Sequence, residues 1–462
     1  MAITTEPVKP EQVKRILTLT EGQFGDLKAI EIKPAKLTHT ISAFSNSDGG
    51  ELYVGIDEAE KDGEKIRSWR GFADPEAANN HVATFESLFP LGTDHRYTFL
   101  SCAGCPGVVL FVEIQKTQAI MIASDGKPYV RRGAQNLPIK TPEAMRRLEY
   151  GKGLTSFETE PLNIPLELVT DSVAIIEFML DVVPTAEPED WLKKQMLVRD
   201  GRPLVAAALM FADEPQAILA KRCGIKVYRY KTKDPAGSRE SLAFDPITIE
   251  GHLYKQIASA VSLTCSKAEE IPKLGDTSLE TIEYPQEALH EIVTNAVLHR
   301  DYSIADDVHI RIFDNRVEVQ SPGRLPAHVT VKNILHERFA RNGAVVRFLN
   351  KYPNPPNKDV GEGLNTAFSA MTKLGLKEPV ITELENAVLV TIKHEPLASP
   401  EKAILEYLET HDIIQNSTAR EITHVTADYT IKSIFQTMAT KGMIERVPGT
   451  RTRSSAYRLP AK

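Results

Sequence analysis

A helical repeat of apolar residues marks the stretch from Tyr284 to Arg300, which reads YPQEALHEIVTNAVLHR. Ala288, Ile292 and Ala296 recur every four residues, so they fall on one face of a helix. A stripe of this kind predicts an amphipathic helix whose apolar face packs on a core. A neighbouring face of the helix is polar, and it carries the residues of chemical interest.

Glu291 and Asn295 lie four residues apart on this predicted helix, so their side chains share a face one turn apart. An acid beside an amide in an enclosed site can bind Mg²⁺ and activate a water molecule, as a nucleotide-hydrolysing pocket requires. The alternative is a solvated polar stripe with no chemical role. The pattern that follows the helix favours the pocket.

Two alternating segments follow in VHIRIFDNRVEVQSPG, one on each side of Asp314 and Asn315. This alternation predicts a β-hairpin closed by a tight turn at those two residues. The second strand runs into Gly323, where the missing side chain lets the backbone approach a ligand. Further on, Gly361 and Gly363 precede another predicted helix, and glycines at a helix N-terminus suit a phosphate group.

This order of elements resembles the GHKL ATPase superfamily, which includes gyrase and the histidine kinases. The segments NAVLHRDYS and SPGRLP are similar to a divergent branch found in bacterial transcriptional regulators, some of them described as helicase-related. The resemblance covers most of residues 281–396 and implies an α/β sandwich that binds ATP with Mg²⁺.

Carried onto this sequence, the resemblance implies that Glu291 is the general base and that Asn295 ligates Mg²⁺. Gly323 would lie under the adenine ring. Ser321 occupies the position where most members carry an Asp that holds the adenine amino group. A serine accepts a hydrogen bond without charge, so adenine selectivity stays open, as does the choice between ATP hydrolysis and ATP sensing.

The resemblance also implies a phosphate site and a lid. Gly361 and Gly363 would line the phosphates of ATP. The loop between the two glycine turns, which includes Arg341 and Asn342, would form the lid over the nucleotide.

Near the N-terminus, Asp26 and Lys28 alternate along a predicted strand and therefore share one of its faces. Pro34 suits the first turn of a helix, which the turn Asp48-Gly49-Gly50 ends. The next predicted strand, ELYVGID, delivers Asp57 at its far end. The segment is therefore predicted as strand, helix and strand.

The ordered segments AFSNSDGG and VGID resemble the Schlafen-type AlbA domain. In Schlafen endoribonucleases three acids bind metal and cleave RNA, and the matching residues are Glu21, Asp26 and Asp57, with Lys28 beside them. Such carboxylates can hold Mg²⁺ or Mn²⁺, which activates water and stabilises the reacting phosphate. Asp26 is one methylene shorter than the Glu of related proteins. The alternative, that the acids shape the fold and the domain only binds nucleic acid, stays open.

A basic strand near the end of this block carries Arg131 and Arg132, which would contact phosphate whether or not RNA is cleaved. The next block, residues 153–280, contains PLVAAALMFADEPQAILAKRCGIKVYRYK, which predicts strand, helix and strand. It is similar to the connector between the two modules in the same divergent family. We expect it to hold the modules in fixed relation and to carry no chemistry.

From Ser399 the pattern predicts three helices, SPEKAILEYLETH, NSTAREIT and TADYTIKSIFQTMATKGMI, and then two short strands around a basic loop. That order resembles a winged helix-turn-helix. The resemblance implies that the third helix enters the DNA major groove with Lys432. Arg451 and Arg453 in the loop would reach phosphate or the minor groove. A dimerising or structural role is the alternative.

The length of 462 residues exceeds what one core can organise, and 42% hydrophobic with 25% charged residues is ordinary for a globular protein. We predict a multidomain fold of mixed α/β and α+β class. Its four parts are an AlbA-like domain (1–152), a connector (153–280), a GHKL-type domain (281–396) and a winged helix (397–462).

The net charge of −7 gives no global attraction to nucleic acid, so binding must use local basic patches. The chain has no apolar run of transmembrane length, no signal peptide and only four cysteines, so we expect a cytoplasmic protein without membrane contact. Cys102 and Cys105 form a lone CxxC, which we predict as a turn between two strands, with a redox pair as the alternative.

The combination predicts an ATP-responsive nucleic-acid-binding protein that acts in transcriptional regulation or in defence against foreign DNA or RNA. GHKL domains often pair on binding ATP, so we expect a homodimer or a higher homo-oligomer. The alternative is an ATP-gated, metal-dependent nuclease that uses Glu21, Asp26 and Asp57. Whether the chain is an enzyme, as an ATPase or as a nuclease, stays open.

Overall fold

The computed structural model describes residues 5–61, 64–88, 95–219, 222–274, 279–281, 286–337, 339–356, 363–373, 376–393, 400–423, 427–448 and 455–460. The chain forms two compact units, Met1–Ala370 with Pro379–Ile392, and Met371–Glu378 with Lys393–Lys462. Within the described ranges, no helix has the length and apolar character needed to cross a membrane.

The α-helices of the described residues are Pro10–Leu17 (α1), Pro34–Asn46 (α2), Asn79–Leu88 (α3), Pro142–Lys152 (α4), Glu167–Thr170 (α5), Val173–Val182 (α6), Pro188–Lys194 (α7), Val205–Phe211 (α8), Pro215–Ile218 (α9), Leu253–Glu269 (α10), Gln286–Leu298 (α11), Gly343–Leu349 (α12), Gly363–Lys373 (α13), Pro400–Thr410 (α14), Asn416–Thr423 (α15) and Asp428–Thr440 (α16).

The strands of the described residues are Thr5–Pro7 (β1), Gly25–Lys28 (β2), Gly50–Val54 (β3), Ile56–Lys61 (β4), Glu64–Trp69 (β5), His95–Ser101 (β6), Val109–Ile114 (β7), Tyr129–Arg132 (β8), Gln135–Pro138 (β9), Val198–Arg199 (β10), Arg202–Pro203 (β11), Ile225–Arg229 (β12), Ile247–Ile249 (β13), Pro272–Leu274 (β14), Leu279–Thr281 (β15), Val308–Ile312 (β16), Arg316–Pro322 (β17), Val380–Glu383 (β18), Ala387–Lys393 (β19), Ile414–Gln415 (β20), Glu445–Arg446 (β21) and Ala456–Arg458 (β22).

The N-terminal domain is a five-stranded sheet of order β1-β6-β7-β3-β2, in which β2 and β3 are parallel. Helix α2 covers this sheet, and its residues Leu37, Ile41 and Phe44 are fully buried in the same core as Leu52 of β3. Pro34 stands in the first turn of α2, where its missing N–H group has no helical partner to lose. The predicted strand and helix of this segment are confirmed.

The predicted strand ELYVGID is two strands, because β3 ends at Val54 and a separate strand β4 carries Asp57. The break falls at Gly55, whose φ of +122° is one that residues with a side chain rarely adopt. A Cβ atom there would lie 3.1 Å from the Cα of Gly71. Strand β4 pairs with β5 in a two-stranded ribbon outside the main sheet, so Asp57 belongs to that ribbon.

The CxxC motif lies between β6 and β7, as predicted, and its backbone turns where the Cys105 N–H donates to the Cys102 carbonyl. Both thiols are free. Desolvation, with the adjoining Cys102 thiol, raises the pKa of Cys105 to about 11. The thiol is therefore protonated at neutral pH and is a poor nucleophile.

In the connector, the predicted first strand is wrong, because PLVAAALM forms helix α8, Val205–Phe211. All seven residues of α8 are buried, and a short apolar run that is buried on every side has no periodicity to separate helix from strand. Its three alanines favour the helix. The last predicted strand of this segment is confirmed as β12.

The second large sheet has six strands in the order β13-β12-β16-β17-β19-β18. Strands β16 and β17 are the predicted hairpin, in antiparallel register with Ile310 opposite Val319. Helix α11 packs beside β17, and its apolar stripe, Ala288, Ile292 and Ala296, is buried as predicted. Connector strands β12 and β13 extend this sheet, so strand pairing crosses the domain boundary predicted at residue 280.

The smaller unit contains the chain from α14 to the C-terminus. Its core joins the helices through Ile404, Ile431, Phe435 and Met438. A small sheet of order β20-β22-β21 completes it. The three helices and the two closing strands lie where the sequence pattern predicts them.

Candidate functional site

A cavity of about 400 Å³, here called the α11 pocket, lies between helix α11 and strands β17, β18 and β19. Its walls are mostly apolar, with Ile292 on the helix facing Val319 and Val388 on the sheet. Polar groups converge on one side from α11. This combination of an apolar slot with a few polar groups is typical of a small-molecule site.

Helix α11 presents Glu291 and Asn295 to the pocket, as its period predicts. The Asn295 Nδ2 donates to Glu291 Oε1 at 2.7 Å, which leaves the Asn295 Oδ1 available as a ligand atom for a metal ion. Burial raises the pKa of Glu291, partly offset by the Asn295 hydrogen bond. A carboxylate with a raised pKa is a stronger base than usual, which suits proton abstraction from water.

His299 adds a third polar side chain to the same helix face, and the sequence interpretation missed it. The signal was the spacing: His299 follows Asn295 by four residues, as Asn295 follows Glu291, so a helical period places all three side chains on one side. Burial, with the positive charge of Arg341, lowers the pKa of His299 to about 4. The imidazole is therefore neutral at physiological pH.

Ser321 lies at the end of β17, nearly buried in the pocket wall. Its hydroxyl donates to the Ala296 carbonyl at 2.7 Å, so the lone pairs of Oγ stay available as acceptors. An adenine amino group could therefore be bound without a charged partner. These residues fit a nucleotide by shape and polarity, with weaker discrimination of the base than an Asp would give.

Gly323 also lines the pocket, and its φ of +99° favours glycine. A Cβ atom there would lie 2.6 Å from the Cβ of Asp301 and 3.1 Å from the Arg341 guanidinium. Its N–H donates to the Asn386 carbonyl at 2.8 Å. Glycine is needed here for packing against Asp301 as well as for any approach to a ligand.

Arg341 and Asn342, predicted in the ATP lid, line no part of the α11 pocket and are buried. Arg341 pairs with Asp301 at 2.8 Å. The Asn342 amide donates to the carbonyls of Leu298 and Arg300 at 2.8 and 2.9 Å. These two side chains anchor the start of α12, because buried polar groups take the partners that the fold provides.

Gly361 lies outside the described residues, and Gly363 is the first residue of α13. Their role toward phosphate stays a prediction.

In the N-terminal domain, Lys28 joins two of the three predicted acids. Its Nζ lies 2.7 Å from Asp26 and 3.6 Å from Glu21. Glu21 also accepts the Leu27 N–H at 3.1 Å. Asp26 is buried and has a second cation, Arg131, at 3.5 Å. Both carboxylates are therefore neutralised by the protein itself.

Asp57 lies on β4 and pairs with Arg70 at 3.5 Å. Among the residues that the structure describes, no cluster of three His, Cys, Asp or Glu side chains could hold a metal ion. A catalytic Mg²⁺ or Mn²⁺ needs carboxylates that are free to coordinate it. Lys28 and Arg131 engage Asp26, whereas Asp57 keeps one buried oxygen, Oδ1, without a hydrogen bond, so the role of Glu21, Asp26 and Asp57 toward a metal stays a prediction.

Arg131 and Arg132 differ in placement because side chains alternate along β8. Arg131 is 3% exposed, and it donates to the carbonyl of Gly22 at 3.0 Å and to the Asn136 side chain at 2.7 Å. The prediction that it contacts phosphate is corrected, since its guanidinium is fully engaged inside the domain. Arg132 is exposed and remains a candidate.

Residues Gly323–Ala327, here called the glycine segment, connect the α11 pocket with the N-terminal domain. Arg324 lines the pocket, and its guanidinium binds Asp48 at 2.6 Å and Glu383 at 3.2 Å. Asp48 belongs to the SNSDGG turn of the N-terminal domain, while Glu383 ends β18. One side chain therefore touches both domains and the pocket.

Two further contacts hold the glycine segment. Lys116, after β7, donates to the Leu325 carbonyl at 2.9 Å. The Ala327 N–H donates to the Gly151 carbonyl in α4 at 3.0 Å. The glycine segment is therefore bound by Lys116, which follows strand β7, and by helix α4 of the N-terminal domain.

In the smaller unit, Lys432 is exposed on α16 and pairs with Asp428 at 2.5 Å one turn before it. An exposed pair of this kind is weak and is easily exchanged for another partner. Arg451 and Arg453 lie outside the described residues.

Two family models match parts of this chain. Residues 21–140 match the model described as "Schlafen, AlbA_2", and residues 305–392 match the one described as "Putative ATP-dependent DNA helicase recG C-terminal". The chain carries a Schlafen AlbA-type domain and a RecG-type ATPase-like domain. The second match begins after α11, so Glu291 and Asn295 lie outside it.

Solved structures are similar at low identity. The DIP2311 protein from Corynebacterium diphtheriae is 16% identical over 97% of this chain and 96% of its own, with a TM-score of 0.42. The N-terminal domain of a RecG-related protein from Nitrosomonas europaea is 18% identical over 26% of this chain and 86% of its own, with a TM-score of 0.23. No curated protein matches the chain.

Proposed function

We propose that the chain is an ATP-responsive nucleic-acid-binding protein, in which nucleotide in the α11 pocket changes how the N-terminal domain holds nucleic acid. The matches support its two halves, because one domain is nucleic-acid-associated and the other is ATP-related. Transcriptional regulation, or defence against foreign nucleic acid, is the cellular role this combination fits. Pairing of two chains on ATP binding belongs to the same proposal.

The observation that carries the proposal is the position of Arg324. Its side chain lines the α11 pocket and at the same time binds Asp48 in the N-terminal domain. A ligand that moves the glycine segment would strain or release this ion pair. Coupling between two sites of this kind typically amounts to about 1–3 kcal/mol, or about 5- to 150-fold in affinity. Linkage then requires nucleic acid to change ATP affinity by the same factor.

On the ATP side, the α11 pocket supplies an apolar slot for a base and an acid–amide pair beside it. Glu291 would take a proton from water, and Asn295 Oδ1 would serve as a ligand to Mg²⁺. Ser321 would accept a hydrogen bond from the base. Mg²⁺, when bound with ATP, supplies charge neutralisation at the phosphates.

On the nucleic-acid side, binding without cleavage is favoured. Asp26 is buried between Lys28 and Arg131, so this acid is committed to the fold, whereas Asp57 makes only a partly exposed pair with Arg70. The domain would therefore hold nucleic acid through cations and not through a metal ion.

The smaller unit would supply a second contact with DNA as a winged helix. Helix α16 exposes Tyr429 and Lys432 at its N-terminal half. An exposed aromatic ring and a weakly paired cation are groups that contact bases and phosphates. Arg451 and Arg453 would extend that contact.

The proposal is tested by fluorescence anisotropy with labelled duplex DNA, single-stranded DNA and RNA, each titrated with and without ATP and Mg²⁺. In the wild-type chain we expect ATP to change the Kd for at least one nucleic acid by about fivefold or more. Arg324→Gln should lose this dependence, because it removes the side chain that joins the α11 pocket to Asp48. Arg311→Gln is the matched control, because Arg311 is also half-buried and hydrogen-bonded but does not line the α11 pocket.

A wild-type Kd that is identical with and without ATP would contradict the proposal. Gel electrophoresis of the same incubations shows whether the nucleic acid is cleaved. If the wild-type chain cleaves a nucleic acid and the Asp57→Ala variant does not, the metal-dependent nuclease replaces the proposal.

A further inference from the structure

A second cavity, here called the interdomain cleft, has a volume of about 1030 Å³ and lies between the N-terminal and ATPase-like domains. On one side, β8 contributes Arg132, α4 contributes Arg147, and the loop after β7 contributes Lys116. The facing side includes the turn between β18 and β19, residues 383–386. The cleft therefore exists only in the folded arrangement of both domains.

Most carboxylates that line the cleft already have a cationic partner, although Asp48 and Glu383 share the single charge of Arg324. Asp48 and Glu383 pair with Arg324 at 2.6 and 3.2 Å. Asp301 pairs with Arg341 at 2.8 Å. These acids therefore offer little repulsion to an anionic ligand.

Three cations in the cleft have no carboxylate bound to them. Within the described ranges, the side chains of Arg132 and Arg147 make no hydrogen bond or ion pair, and both are exposed. Lys116 is half-buried and donates to the Leu325 carbonyl. Lys116 also acts as a second positive charge on Asp48 and Glu383, and Arg132 and Arg147 outnumber Glu385, the remaining acid of the described lining. The cleft is therefore locally positive, although the chain as a whole carries −7.

A guanidinium without a partner can donate two parallel hydrogen bonds to two oxygens of one phosphate, which makes arginine the preferred phosphate ligand. The described residues that line the cleft include no aromatic side chain, so they offer no ring on which a nucleic-acid base could stack. The volume is at the upper end of the roughly 300–1,000 Å³ of small-molecule sites, which leaves room for a chain of nucleotides. Two facing walls suit a flexible single strand better than a stiff duplex.

We propose that the interdomain cleft binds the phosphodiester backbone of single-stranded nucleic acid through Arg132, Arg147 and Lys116, without reading its base sequence. This inference rests on the proposed function and assigns the place where the strand lies. Lys116 holds the glycine segment through Leu325, and Arg324 lines both the cleft and the α11 pocket. A strand in the cleft therefore lies next to the element that would respond to ATP.

The test uses the full chain and a short labelled oligothymidine in fluorescence anisotropy, repeated over a range of salt concentrations. A double variant, Arg132→Gln with Arg147→Gln, should bind about tenfold more weakly. Its slope of log K against log salt should be shallower by about 1.4, because each phosphate contact on a single strand contributes about 0.7. Arg146→Gln is the matched control, since Arg146 is the exposed neighbour on α4 that does not line the cleft.

ATP affinity measured on each variant checks that the fold is intact. An unchanged Kd and salt slope in the double variant would overturn the cleft assignment, and the proposed function would survive if wild-type binding still responds to ATP. Failure of the wild-type chain to bind any nucleic acid would overturn both. Displacement of the oligothymidine by AMP at equal phosphate concentration would reveal a mononucleotide site and reject the strand.

Discussion

Replacing Gly323 with alanine tests whether its close approach to Asp301 fixes the glycine segment. The backbone φ of +99° disfavours a residue with a side chain, at a cost of about 1–2 kcal/mol. The added Cβ would also lie 2.6 Å from the Asp301 Cβ, so the backbone or Asp301 must shift. Overpacking of this kind costs a further 1–3 kcal/mol or so. We expect a total loss of about 2–5 kcal/mol in the free energy of unfolding.

Gly126→Ala separates the two contributions. Gly126 also has a positive φ, +78°, but a Cβ there would meet no atom within 4 Å. It should therefore lose only the cost of the backbone conformation, about 1–2 kcal/mol. Any gain from a less flexible unfolded chain is common to both variants, so it cancels in the comparison.

The assay is urea denaturation followed by tryptophan fluorescence. The two tryptophans of the chain, Trp69 and Trp191, are both buried in the larger unit, so their emission reports its unfolding. ATP titration of the same samples should show weaker binding for Gly323→Ala, because Gly323 lines the α11 pocket. Equal losses of stability in the two variants would refute the argument from Asp301.

Three other experiments test single sites. Glu291→Gln should lower ATP hydrolysis by about a hundredfold or more while ATP affinity is kept, as measured by phosphate release and titration; full activity would exclude Glu291 as the base. His299 is neutral in the fold with a pKa of about 4, so unfolding takes up its proton and stability falls as pH drops from about 6.5 to 4. The loss in the free energy of unfolding is at most about 3 kcal/mol, because the ring is partly exposed to solvent in the pocket. Melting temperatures measured over a pH series should fall less on acidification in His299→Gln than in the wild-type chain. Arg131→Ala should cost about 3 kcal/mol, because it removes a buried partner of Asp26, while Arg132→Ala should cost less than about 0.5 kcal/mol; similar urea midpoints would reject the distinction.

Local spacing explains what could be predicted here. The four-residue interval between Glu291 and Asn295 gave their shared face, because the period of a helix is fixed by its backbone. The alternation around Asp314 and Asn315 gave the hairpin in the same way. The first strand predicted in the connector was wrong, because α8 is a short apolar run in which the local pattern carries no period.

The sequence by itself determined the two domain types, the helix with its acid–amide pair and the hairpin beside it, because these depend on residues close together in the chain. Only the tertiary structure decided that Arg131 is buried against Asp26, and that Arg324 binds Asp48. Such pairs join residues far apart in sequence, and burial decides which charged groups the fold itself neutralises. The cations left over, Arg132 among them, are the groups that remain to bind a ligand.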